Sequence, residues 1–147
     1  MYIDFHKSTP QYVRRFVENC VDYLKLRNLD ADIQIYPLYT YSDELGWCYG
    51  DKTCAEVYYT TKGLSRKEKL MVIAHEMIHA KQILRRQLIN EVKEGQELNR
   101  WRGGLVDIEI DIDTDDLEYL LYADTPWERE AYGREEEVYN ACINNKK

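Results

Sequence analysis

His75, Glu76 and His79 stand in the run Ala74-His75-Glu76-Met77-Ile78-His79-Ala80, an HExxH pattern. Two histidines four residues apart on a helix lie one turn apart on the same face, so both imidazoles can reach one metal ion. Zinc suits such a pair, because it takes imidazole nitrogen at about 2.0–2.1 Å and keeps an open position for water. Glu76, beside the first histidine, is then placed to hold that water and take its proton, as the base of a metal-dependent hydrolase does. The chain has only three histidines, and two of them sit in this run. Coincidence is the alternative, but a random chain of this length shows the pattern well under ~1% of the time.

The elements that must hold these residues are legible around them. Ser65 and Glu68 form a capping box, and Leu70, Ile73, Ala74, Met77, Ile78, Leu84 and Leu88 supply a broad apolar face, which predicts a helix from Ser65 to about Leu88. A polar cluster buried among such residues is costly unless a ligand satisfies it. Upstream, Ser8-Thr9-Pro10 opens a helix with a hydroxyl cap and a proline in its first turn. Val13, Phe16, Val17, Cys20, Val21 and Leu24 give that helix one apolar stripe, ending near Asn28. Residues 32–38 alternate as a strand with Ile33 and Ile35 on one face, stopping near Pro37, and residues 46–49 and 54–61 read as a hairpin around Gly50-Asp51-Lys52-Thr53.

Residues 90–104 are charged, a helix tail turning to loop at Gly103-Gly104. In residues 105–113, Val106, Ile108, Ile110 and Ile112 alternate with Asp107, Glu109, Asp111 and Asp113, a strand with one apolar and one acidic face. The spacing of Asp111, Asp113 and Asp115 is that of a calcium loop's start. Asp116 stands where the loop needs glycine and Tyr122 where it needs glutamate, so a solvated strand face is the better reading. Thr125-Pro126 opens a last helix that turns Ala131, Val138, Tyr139 and Cys142 inward. The order helix, three strands, helix, strand, helix predicts an α+β fold with a small, mixed sheet.

With 147 residues the chain reads as one domain, residues 1–147, large enough for a core without staples. Apolar residues at 44% and charged residues at 32% describe a soluble globule. No run approaches a membrane span and no signal segment opens the sequence, so the cytoplasm is the expected location and no membrane partner is expected. Cys20, Cys48, Cys54 and Cys142 make no zinc-knuckle spacing and are expected to be reduced, although Cys48 and Cys54 could face each other across the hairpin. A net charge of −7 argues against a nucleic-acid surface. Arg85-Arg86 and Arg100-Trp101-Arg102 read as solvated charges. The thirteen tyrosines suit a half-open cleft lined by amphipathic rings. Oligomeric state is left open.

A catalytic zinc takes three protein ligands, so one more is needed. His6 precedes the motif near a terminus and reads as an exposed side chain. Among the acidic residues, the segment Thr125-Pro126-Trp127-Glu128-Arg129-Glu130-Ala131 stands apart. A glutamate one turn into a helix, with alanine three residues later, lets that helix pack closely while the carboxylate points at the metal. Glu128 shares a stripe with Ala131, Glu135, Val138 and Cys142, the face expected to be buried, and is the preferred ligand. Two alternatives stay open: Glu128 reaching back to Thr125 in a capping box, and Glu130, on a polar face with Arg134 and Glu137, as the ligand.

HExxH followed by ExxA resembles the gluzincin metallopeptidases. The His-Glu-Met-Ile-His helix with a late Pro-Trp-Glu-x-Glu-Ala helix is similar to small SprT-like and minigluzincin metallopeptidases of phages and bacteria, over roughly residues 45–135. The resemblance implies a zincin-like fold, an N-terminal scaffold helix and a C-terminal ligand helix with Glu128 as third zinc ligand. It also implies that the strand before the motif helix, residues 54–59, pairs with an extended peptide. No third histidine follows His79, unlike SprT itself. Tyr132 stands where ExxxD gluzincins carry aspartate, which leaves the partner of a ligand histidine unassigned.

The expected activity is hydrolysis of peptide bonds by a zinc-bound water, with Glu76 as general base and then as proton donor to the leaving amine. Tyr122 and Tyr132 flank the ligand helix and are candidates to stabilise the oxyanion. The acidic face of residues 107–113 predicts a preference for Lys or Arg near the cleaved bond. The rival readings are a zincin-like domain that binds zinc or a partner protein without turnover, and a hydrolase of something other than peptides.

Overall fold

Strands with alternating apolar residues build the main sheet of this computed structural model, which describes residues 1–39, 44–93, 96–106 and 125–143. Strands β1 (Tyr2–Phe5), β2 (Asp32–Leu38), β3 (Gly46–Asp51) and β4 (Cys54–Thr60) lie in the order β1-β2-β4-β3. β1, β2 and β4 are parallel, and β3 runs antiparallel along β4. Ile33 and Ile35 of β2 stand level with Ala55 and Val57 of β4, and all four are fully buried. Their neighbours in sequence point to the opposite face, which stays polar and aromatic.

Three helices supply the rest of the core: α1 (Gln11–Tyr23), α2 (Arg66–Leu84) and α3 (Pro126–Ile143). α2 packs on β3 and β4, and α1 and α3 pack against α2 and against each other. The stripe Val13, Phe16, Val17, Cys20 and Val21 of α1 is buried as its spacing predicts. Ile73, Met77 and Ile78 of α2 are wholly inside, each contributing about 1.5–3 kcal/mol relative to an exposed position. The Ser65–Glu68 capping box is formed in both directions. The mixed α+β class with a small mixed sheet therefore holds, and no helix among the described residues is long and apolar enough to cross a membrane.

Several local expectations are corrected. β1 carried no alternation long enough to read from sequence. β2, by contrast, has its expected span of residues 32–38, and Pro37 is tolerated in it because the chain there has passed the end of β1: the Ile35 carbonyl accepts from His6, and Pro37, facing the same side, has no neighbour among the described residues to miss its N–H. Pro10 is the N-cap of α1, with no side-chain cap, rather than a first-turn residue. α2 ends at Leu84, since Arg86 turns left-handed (φ 57°), and Leu88 starts a strand instead of extending the helix. Residues 88–93 and 96–106 form an antiparallel meander of β5 (Leu88–Lys93), β6 (Gln96–Trp101) and β7 (Gly104–Val106), not a helix tail and loop. Arg102 and Gly103, both at positive φ, supply the tight turn that closes its second hairpin.

Cys48 pairs with Val57 and Cys54 with Asp51, so these cysteines stand three rungs apart and do not face each other; all four cysteines are free. β4 is hydrogen-bonded on both sides, so among the described residues β3, not residues 54–59, is the edge of the sheet beside the motif helix. The acidic strand face at residues 107–113, the calcium-like spacing and Tyr122 lie outside the described residues.

Candidate metal centre

The packing of α3 against α2 brings Glu128 to the two motif histidines. Ala131, one turn after Glu128 and fully buried, keeps the helices close. One Glu128 oxygen lies 3.2 Å from His75 Nε2 and the other 2.7 Å from His79 Nε2. The ligand atoms of all three residues lie within 4.8 Å of one another, a group able to hold a metal ion. Both Glu128 oxygens are thus directed at imidazole nitrogens, the orientation of a ligand and not of a cap. Glu130 faces elsewhere, 3.2 Å from Arg102 and 3.9 Å from Lys81. His6 is exposed and bonded to Ser8.

Two side chains not assigned from sequence fix the imidazoles. Glu135 accepts from His75 Nδ1 at 2.8 Å, and Gln82 Oε1 lies 2.7 Å from His79 Nδ1. The amide of Gln82 leaves no choice of orientation: its Nε2 donates to the Trp127 carbonyl at 3.0 Å and to Glu130 at 3.3 Å, so its oxygen must face His79. With acceptors on both Nδ1 atoms, each histidine when neutral carries its proton there, which leaves the Nε2 lone pair for a metal. His79 Nε2 is buried 2.7 Å from a Glu128 oxygen and has no hydrogen-bond partner of good geometry among the described residues. An orphaned imidazole nitrogen beside a carboxylate and a second imidazole is a donor set that fits zinc. The signal for both positioning residues was spacing: Gln82 follows His79 by three, and Glu135 follows Glu128 by seven, each on its ligand's face.

The charges answer to this geometry. Burial pulls the His75 imidazole down, but Glu128 and Glu135 outweigh it and lift it to about 9. His79 is likewise raised, burial being overcome by Glu128 and Glu76. Burial alone would raise Glu128; its two histidines bring it down to about 2. Glu76 is pushed up to about 7 by burial.

Glu76 is 6% exposed and makes no hydrogen bond or ion pair within the described residues. It lies against the edge strand, where a Cβ added to Gly46 would stand 2.6 Å from Val72 Cγ1, 2.9 Å from the Tyr58 carbonyl oxygen and 3.2 Å from Glu76 Cγ. Glycine at 46 is what permits β3 to lie this close to the motif helix. Tyr132, 48% exposed, sets its ring 4.6 Å from that of His75. No protein-family model, curated protein or solved structure matches this chain.

Proposed function

We propose that this protein is a zinc metallopeptidase of gluzincin type with a zincin-like arrangement, cutting peptide bonds with Glu76 as general base. The single observation that carries the reading is Glu76: a buried carboxylate without a partner among the described residues, next to a residue of the His75–His79–Glu128 group. A site that only held a metal for stability has no use for such a group. Zinc held by His75, His79 and Glu128 would act as a Lewis acid, making water acidic near pH ~7 and polarising the scissile carbonyl.

The protein's own residues do the rest. Glu76 takes the proton of the attacking water on its carboxylate and returns it to the leaving amine nitrogen. Glu135 and Gln82 keep both imidazoles in the tautomer that leaves Nε2 free. Tyr132, half-exposed with its ring edge-on to that of His75, is the residue we assign to donate to the carbonyl oxygen as charge develops. As an edge strand beside Glu76, β3 suits an extended substrate pairing through main-chain hydrogen bonds.

The test is a peptide-library digest with metal-stripped and zinc-restored protein, alongside elemental analysis. The reading expects about one zinc per chain and cleavage only when zinc is restored. Stoichiometric zinc without cleavage of any peptide would favour the non-catalytic domain instead.

A further inference from the structure

The outer face of the main sheet carries an aromatic cluster that the metal centre does not use. Tyr36, Tyr58 and Trp47 stand in one cross-strand row on β2, β4 and β3. The Tyr36 and Tyr58 rings stack at 5.0 Å and 21°, the Trp47 and Tyr58 rings at 5.5 Å and 20°. Tyr49, two residues along the edge strand from Trp47, meets the Tyr58 ring edge-on at 6.1 Å and is 58% exposed. Glu56 pairs with Tyr49 across the strands, and its carboxylate accepts from the Tyr58 hydroxyl at 2.9 Å. A carboxylate therefore lies at the hydroxyl end of Tyr58, on the strand position opposite Tyr49.

The charge on this face has one sign. Asp4, Asp32 and Glu56 occupy outward positions of β1, β2 and β4, and none of the outward positions of the four strands is lysine or arginine. Ring faces and a carboxylate attract the same ligand, an ammonium or guanidinium group, and repel an anion. An aromatic row alone stabilises a sheet. Here the row ends on β3, an edge strand among the described residues, with its most exposed ring there. Alternate side chains of a strand added to β3 would project on this same face, level with Trp47 and Tyr49.

We propose that Tyr49 and Trp47 together with Glu56, backed by the stacked Tyr58 ring, bind a lysine or arginine side chain of a polypeptide laid along β3. That the polypeptide is a substrate rests on the peptidase reading; the site itself does not. The sequence had suggested basic specificity from residues 107–113, and this site is a different one.

The test compares labelled extended peptides of equal length, one with lysine or arginine and one with glutamate at alternate positions. Binding to the zinc-loaded Glu76→Gln protein is read by fluorescence anisotropy, without turnover. The basic peptide should bind about tenfold more tightly at low salt, and the gap should narrow as salt is added. Glu56→Gln and Tyr49→Ala should each remove most of that gap between the basic and the acidic peptide. Equal binding of the two peptides, or a gap untouched by both variants, overturns the proposal. A protein that binds the basic peptide and cleaves nothing upholds this site and refutes the peptidase reading; one that cleaves without regard to charge does the reverse.

Discussion

Replacing Gln82 by methionine separates the two tasks assigned to this residue. Gln82 is fully buried and spends its amide on three groups: His79 Nδ1 at 2.7 Å, the Trp127 carbonyl at 3.0 Å and Glu130 at 3.3 Å. Gln82→Met keeps the length and bulk but strands the His79 N–H in the interior and takes from the Trp127 carbonyl only its second bond, the helical one remaining. The orphaned donor costs about 1–3 kcal/mol, which is the loss expected of the metal-free protein. A second effect appears only with metal. Freed from its acceptor, His79 can move its proton to Nε2, and zinc affinity should fall about 10- to 100-fold, or about 1.4–2.7 kcal/mol. Urea denaturation of the metal-free protein reads the first loss and chelator competition the second. A variant with wild-type stability and wild-type zinc affinity would refute the reasoning; loss of stability with affinity intact would refute the tautomer argument alone.

Glu135→Ala should weaken zinc binding by about tenfold or more, whereas Glu130→Ala should leave it within a few-fold, since Gln82 keeps its bond to the Trp127 carbonyl; chelator competition on the pair distinguishes the carboxylate bonded to a ligand histidine from one that is not. Gly46→Ala should destabilise the protein by about 1–3 kcal/mol and impair any activity, since the new methyl group meets Val72, the Tyr58 carbonyl and Glu76; unchanged melting and turnover would show that β3 can move away freely. Metal loading at pH 7 should release protons, because His75, lifted to about 9, is protonated in the metal-free protein and must be neutral to ligate. Apparent affinity should therefore climb with pH up to about 9 and level off beyond it, as calorimetry in buffers of different ionisation enthalpy would show. In the metal-free protein the sign is opposite: the His75 contribution to stability is whole below pH 6.5 and lost as pH rises through about 9, while that of Glu128 is present above 4.5 and lost as pH falls through about 2.

What could be read from sequence was whatever had a local cause. The motif helix announced itself by a capping box and an apolar face, and α1 by a single stripe, because each helix repeats its burial every turn or so. Glu128 was found by spacing within one helix, and its meeting with the histidines needed only that α2 and α3 pack. Residues whose state depends on distant partners were less legible. β1 is four residues long and exists because β2 offers it an edge. The meander after α2 has too few apolar positions to alternate, and its strands are set by pairing with one another. Glu135 lay on the expected stripe, but that it would reach His75 depended on how far along α2 the last helix docks. The edge position of β3 depended on strand order, which no local pattern encodes, and so the pairing role had been assigned to the strand beside it.

The central claim is that Glu76 is a base and not a metal ligand, and one comparison tests it most directly: zinc content and peptide cleavage of Glu76→Gln beside the wild type, both loaded with one equivalent of zinc. The account predicts that the variant retains its zinc and loses at least about 100-fold in kcat. Cleavage at a rate comparable to wild type, or loss of zinc from the variant, would contradict it.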